Sequence, residues 1–107
     1  MPDILQRIPV VSGVAYLERV RRLPATFVAT LVAEPDNRYM PRAVAVLGNG
    51  EKLGYLAPEI AVRYFDGISA RAEPVTCPAR RASVFDHGTS GVELLLDFSA
   101  LPVTPAP

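Results

Sequence analysis

Proline and glycine break this chain more often than any regular long element tolerates. Eleven prolines and seven glycines are spread through 107 residues. Proline removes a backbone donor and clashes with the preceding helical turn, so the long helices of a bundle are excluded. What remains between the breaks is short and often β-branched or alternating, which predicts a mainly β chain. The length corresponds to one domain. A chain of this size buries roughly two thirds of its unfolded surface, enough for one modest core without staples. With 50% apolar and 21% charged residues, a disordered polyampholyte is excluded.

The segments read in order as follows. Ile8 to Val14 is a valine-rich strand, with Gly13 permitting a bulge. Leu17, Val20 and Leu23 recur every three residues, predicting one or two helical turns over Tyr16 to Leu23 that Pro24 stops. Phe27 to Glu34 alternates with Phe27, Ala29, Leu31 and Ala33 on one face, and both faces are largely apolar. Glu34-Pro35-Asp36-Asn37 is a turn by composition. Ala43 to Leu47 and Glu51 to Ala57 are strands joined at Gly48-Asn49-Gly50, where Asn-Gly suits a type I′ turn. Pro58 fits a first helical position and Glu59 the positive end of the helix dipole. Ile60 with Tyr64, and Ala61 with Phe65, then share a face until Gly67 stops the helix. Residues 68 to 85, with Pro74 and Pro78, read as an edge strand with a bulge. Val92, Leu94, Leu96 and Phe98 alternate in a last strand, and Leu101 to Pro107 reads as an extended, poorly anchored tail. Five or six short strands with one helix predict a small closed or partly closed barrel.

Eleven Lys+Arg balance eleven Asp+Glu, which excludes a binder that relies on bulk positive charge. The balance is uneven along the chain: residues 1 to 42 hold six basic and four acidic residues, so the amino-terminal half is the more positive. Cys77 is the one cysteine, which forms no internal disulfide and suits a reducing cytoplasm. The start lacks a basic region followed by a long apolar run, and no apolar stretch approaches the ~20 residues of a membrane helix. Neither a secretory signal nor a membrane partner is expected.

The informative stretch is Glu34-Pro35-Asp36-Asn37-Arg38-Tyr39-Met40-Pro41-Arg42-Ala43-Val44-Ala45-Val46, followed after the hairpin by Lys52-Leu53-Gly54-Tyr55-Leu56-Ala57-Pro58-Glu59. It resembles the HIRAN domain, whose pattern runs roughly E-P-x-N-P-Y-D-x-N-A-V-x-V, then a turn, then G-Y-L-P and a helix. Val10-Val11-Ser12-Gly13-Val14-Ala15-Tyr16 is similar to the opening strand of that family. The resemblance covers about residues 8–98, leaving 99–107 as a Pro-rich tail. It implies an OB-like β-barrel of about six short strands with one or two short helices. It also implies binding to nucleic acid, single-stranded DNA above all. In fork-remodelling helicases the module captures a 3′-hydroxyl end, and bacteria carry it alone or fused to nucleases and helicases. A nuclease or helicase is therefore the partner protein expected in repair or replication.

Carried over residue by residue, the resemblance implies that Tyr16, Asn37 and Tyr39 line the ligand pocket, with Gly54 and Tyr55 in the strand beside it. Arg38 and Arg42 are placed to meet phosphate, and Arg19, Arg21 and Arg22 to extend a basic rim. Met40 stands where the family has Asp, Arg42 where it has Asn, Arg38 where it has Pro, and Ala15 where end-binding members have a basic residue. A thioether does not replace a carboxylate as the acceptor for a terminal hydroxyl, so generic strand binding is the form these exchanges leave intact. The alternative is a protein-interaction module derived from the same family, to which Met40 lends adaptable apolar contacts.

Each of these residues also has a plainer reading. Asn37 tolerates left-handed geometry and bonds its own backbone in turns. Tyr39 is open between stacking on a base and packing, while Tyr55 lies on the Leu53-Tyr55-Ala57 face and is expected in the core. Asp86, His87 and Ser90 share one Gly-flanked loop, without the strand-turn-helix setting of a nucleophile, so no enzyme is expected. One His and one Cys build no metal site by themselves, so no cofactor or metal is expected.

Overall fold

Local chemistry sets the first pieces. In a computed structural model, which describes residues 5–8, 10–11, 22–81 and 94–103, Ala43–Gly48 (β4) and Glu51–Leu56 (β5) pair antiparallel around a two-residue turn. Asn49 and Gly50 have φ of 56° and 80°, the two positive values a type I′ turn requires. Before them run Leu5–Ile8 (β1), Val10–Val11 (β2) and Thr26–Glu34 (β3). After them come the helix Pro58–Ser69 (α1), the strands Val75–Arg81 (β6) and Leu94–Asp97 (β7), and a single 3-10 turn at Phe98–Ala100.

The strands form one sheet in the order β1-β7-β6-β3-β4-β5-β2, every pairing antiparallel. Its two ends, β1 and β2, are one residue apart in the chain. The row therefore closes on the amino-terminal segment, whose first half pairs with β7 and second half with β5. Closure removes the open edges on which sheets otherwise aggregate. Counted as one interrupted strand, β1 and β2 bring the total to six among the described residues. This is the mainly β, small OB-like barrel that the sequence predicts.

Inside the barrel sit Leu31, Val44, Val46, Leu53, Leu56, Val75, Leu94 and Leu96, all fully buried. The helix lays Ala61 and Ile68 onto this core, with Ile60, Tyr64 and Phe65 half-buried beside them. Tyr64 meets Phe98 edge to face at 5.0 Å. Pro58 occupies the helix start, where its missing N–H leaves no bond unmade.

Several expectations are corrected. The opening strand begins at Leu5, earlier than Ile8, and residues 12–14 lie outside the described residues, as do the helix expected from Tyr16 up to residue 21 and the loop Asp86 to Gly91. The strand in 68–85 is interior, flanked by β3 and β7. Pro78 suggested an edge, but the ladder to β7 covers only residues 79–81, so the proline removes no rung on that side. Gly67 does not stop the helix, which runs on to Ser69. It admits the returning chain instead: a Cβ there would lie 3.0 Å from Val103 Cβ. Leu101 and Val103 pack against the core, so the tail is anchored at least that far. The outward face of β3 is solvent, with Val28 62% and Val32 40% exposed.

Candidate nucleic-acid interface

The loop between β3 and β4 is built by one asparagine. The Asn37 N–H donates to the Glu34 carbonyl (3.2 Å), closing the turn that Pro35 and Asp36 begin. The Asn37 side-chain oxygen then accepts the N–H groups of Tyr39 (2.8 Å) and Met40 (2.9 Å). Its Nδ2 donates to Glu34 Oε1 (3.1 Å). Both ends of the carboxamide are thus occupied within the protein, the structural role Asn commonly takes in turns. The chain beyond is thrown outward: Tyr39 is 92% exposed, and Arg38 and Arg42 are also exposed while Met40 is half-buried. Arg42 has φ of 58°, and its Nη1 lies 3.8 Å from Asp66 Oδ2 on α1, both groups largely in water.

Tyr55 arrives beside this loop through a bulge. The β4–β5 register jumps from Val46↔Gly54 to Leu47↔Lys52, leaving Leu53 as the extra residue. Leu53 turns inward and is fully buried, while Lys52 and Tyr55, three apart, come to the same outer face. Gly54 sits at the jump with φ of 152°, a value that favours glycine. A regular strand would have sent Leu53 and Tyr55 to one face, which is why the expected core position of Tyr55 is not observed.

On that outer face four side chains converge. Lys52 Nζ lies 2.7 Å from Glu34 Oε2 and donates to Tyr55 Oη (2.8 Å), and the Tyr55 hydroxyl donates to Glu34 Oε1 (2.9 Å). Burial alone would raise the Glu34 pKa, but the bonds from Lys52, Asn37 and Tyr55 outweigh it and hold the carboxyl below its ordinary value. The bonds to Glu34 first and Tyr55 second hold the Lys52 ammonium above its ordinary value. Glu34 therefore stays a carboxylate at neutral pH.

Of the residues singled out in the sequence, Asn37 and Tyr55 are brought together, both bonded to Glu34. Arg38, Tyr39 and Arg42 stand on the exposed rim of the same loop. Tyr16, Arg19 and Arg21 lie outside the described residues, and Arg22 is exposed with its Nη2 4.0 Å from Glu51 Oε1. Sequence reasoning missed Glu34 and Lys52 as members of the group. Two signals pointed there: Glu34 precedes Asn37 by three residues across a turn, and Lys52 is the sole lysine among eleven basic residues.

The arrangement suits binding. An exposed aromatic ring on a fixed turn, flanked by guanidinium groups, offers stacking and phosphate contact. The chemistry of a nucleophile is missing from Cys77, whose thiol is pushed up to about 12 by burial and then by Asp97. Among the described residues no three His, Cys, Asp or Glu converge, and no helix is long and apolar enough to cross a membrane.

Among curated proteins and solved structures nothing matches the chain. A sequence model of the HIRAN domain matches residues 9–73, from the closing strand through the Tyr39 loop, the bulged hairpin and α1. The match ends short of β6 and β7, although both belong to the same sheet. It covers well over half of the sequence and contains every element that positions the Tyr39 loop, so the chain belongs to the HIRAN domain family.

Proposed function

We propose that this chain is a non-catalytic cytoplasmic module that binds single-stranded nucleic acid, DNA in the first place, on the face formed by Arg38, Tyr39 and Arg42. The HIRAN domain is a nucleic-acid-binding module and generally not a catalyst. The observation that carries the reading is Tyr39, 92% exposed while its backbone N–H and that of Met40 are tied to a turn by the Asn37 side-chain oxygen. An aromatic held in water contributes little to the free protein, whereas stacking on a base is worth ~1–3 kcal/mol and tolerates any sequence. Packing, the other reading of Tyr39, does not fit that exposure. Tyr16, which matches an aromatic pocket position of the family pattern, is proposed as a further contact. Tyr55 and Asn37 support it from behind.

The exchanges from the family pattern favour internal strand binding over end capture. Met40 supplies no carboxylate for a terminal hydroxyl. Arg42 keeps a left-handed backbone that Asn adopts more readily, and adds a guanidinium beside the loop. A module spanning residues 8–98 would then hold a strand for a nuclease or helicase in repair or another nucleic-acid process.

Fluorescence anisotropy with a short labelled single strand tests this. The wild type is expected to bind strands ending in 3′-hydroxyl and 3′-phosphate alike and a blunt duplex less well. Tyr39→Ala is expected to weaken binding about 5- to 150-fold, the equivalent of ~1–3 kcal/mol. Two arginines on phosphate predict a shallow salt dependence, a log–log slope of about −1.4. Preference for the 3′-hydroxyl would restore end capture despite Met40. A second reading, a protein-docking module, draws on the exposed Val28 and Val32 of β3. Absence of binding to any DNA or RNA strand at low salt would favour it.

A further inference from the structure

We infer that Glu34 and Lys52 are positioning residues of the Tyr39 loop, a buttress that sets how the loop meets a strand without touching the strand themselves. The inference rests on the nucleic-acid reading only for its effect on binding. Two backbone N–H groups fix which end of the Asn37 carboxamide faces the loop, and Glu34 Oε1 accepts from the other end. The chain of bonds runs from β5 through Glu34 to the amides of Tyr39 and Met40. Glu34 itself is held by Lys52 on Oε2 and by the Tyr55 hydroxyl on Oε1. The pairing is close and half-covered, with the Lys52 and Glu34 side chains 30% and 24% exposed. A lysine so engaged, with a carboxylate at 2.7 Å, neutralises that carboxylate rather than a phosphate. The pair thus also removes a negative charge that would face an incoming strand.

The experiment reads amide exchange in the free protein alongside strand binding. Glu34→Ala is expected to speed exchange at Tyr39 and Met40 about tenfold, the equivalent of one hydrogen bond. Exchange at Val44 and Val46, core positions of β4, is expected to stay unchanged, which separates loop release from unfolding. Strand affinity is expected to fall severalfold as the competent loop loses population. Glu34→Gln is expected to keep most of the protection, because its carbonyl still accepts from Asn37. The double variant Glu34→Gln, Lys52→Gln leaves net charge unchanged and is expected to leave the salt slope unchanged. Unaltered exchange at Tyr39 and Met40 in Glu34→Ala would overturn the inference. So would a slope reduced by ~0.7 in the double variant, which would make Lys52 a phosphate ligand. Failure of the wild type to bind any strand would instead defeat the functional reading, and exchange alone would then decide the role of Glu34.

Discussion

At Arg42 the chain adopts a conformation that most residues avoid. For an L-residue the left-handed region is less favourable by about 1–2 kcal/mol, and Asn lessens that strain because its short side chain bonds locally. The family pattern places Asn there, so that preference has a backbone explanation, and Arg42 preserves the turn at some expense of stability. Arg42→Asn is therefore expected to raise unfolding stability by roughly 0.5–1 kcal/mol in a urea titration. Its ion pair, 3.8 Å to an exposed Asp66, contributes little to be lost. A stability equal to or below wild type would show that the loop backbone is not strained at this residue. Asn37 illustrates the same point from the other side. Its turn role was legible from residue type alone, whereas the convergence of Lys52 and Tyr55 on its partner Glu34 depends on the fold.

The hairpin of β4 and β5 is the element on which the site depends, because its bulge turns Tyr55 and Lys52 outward. Gly48 precedes the turn on the inward face. A Cβ there would lie 2.9 Å from Leu53 Cδ1, 3.1 Å from Phe27 Cε2 and 3.3 Å from Leu23 Cδ2. Those side chains belong to the packed interior, so Gly48→Ala is expected to destabilise by about 1–3 kcal/mol through overpacking. A thermal melt unchanged from wild type would mean that the interior yields without strain. Elements written in local chemistry were legible: the Asn-Gly turn, the Pro58 helix start and the alternation of Leu94 and Leu96. Features decided by distant partners were not. The bulge at Leu53 depends on pairing with β4, the interior place of β6 on β7, and the reason for Gly67 on Val103 returning far along the chain.

For the molecule as a whole, closure rests on the amino-terminal segment. Residues 5–8 cover β7 and residues 10–11 cover β5, so deleting residues 1–11 would expose two strand edges at once. The truncated protein is expected to lose its cooperative unfolding transition and to aggregate. A cooperative, monomeric truncation would show that the remaining sheet stands without closure. Barrel architecture was legible in the strand count and the family pattern, while the way one interrupted strand seals both ends was not. Zero formal charge overall then leaves recognition to a local face, since no net charge draws a strand to the molecule. The most direct test of that face is a titration of the isotope-labelled protein with a short single strand, followed by amide chemical shifts. The account predicts the largest changes at Arg38, Tyr39, Met40 and Arg42, with smaller ones at Gly54 and Tyr55. Shifts confined to the Val28–Val32 face of β3, or none in the Tyr39 loop, would contradict it.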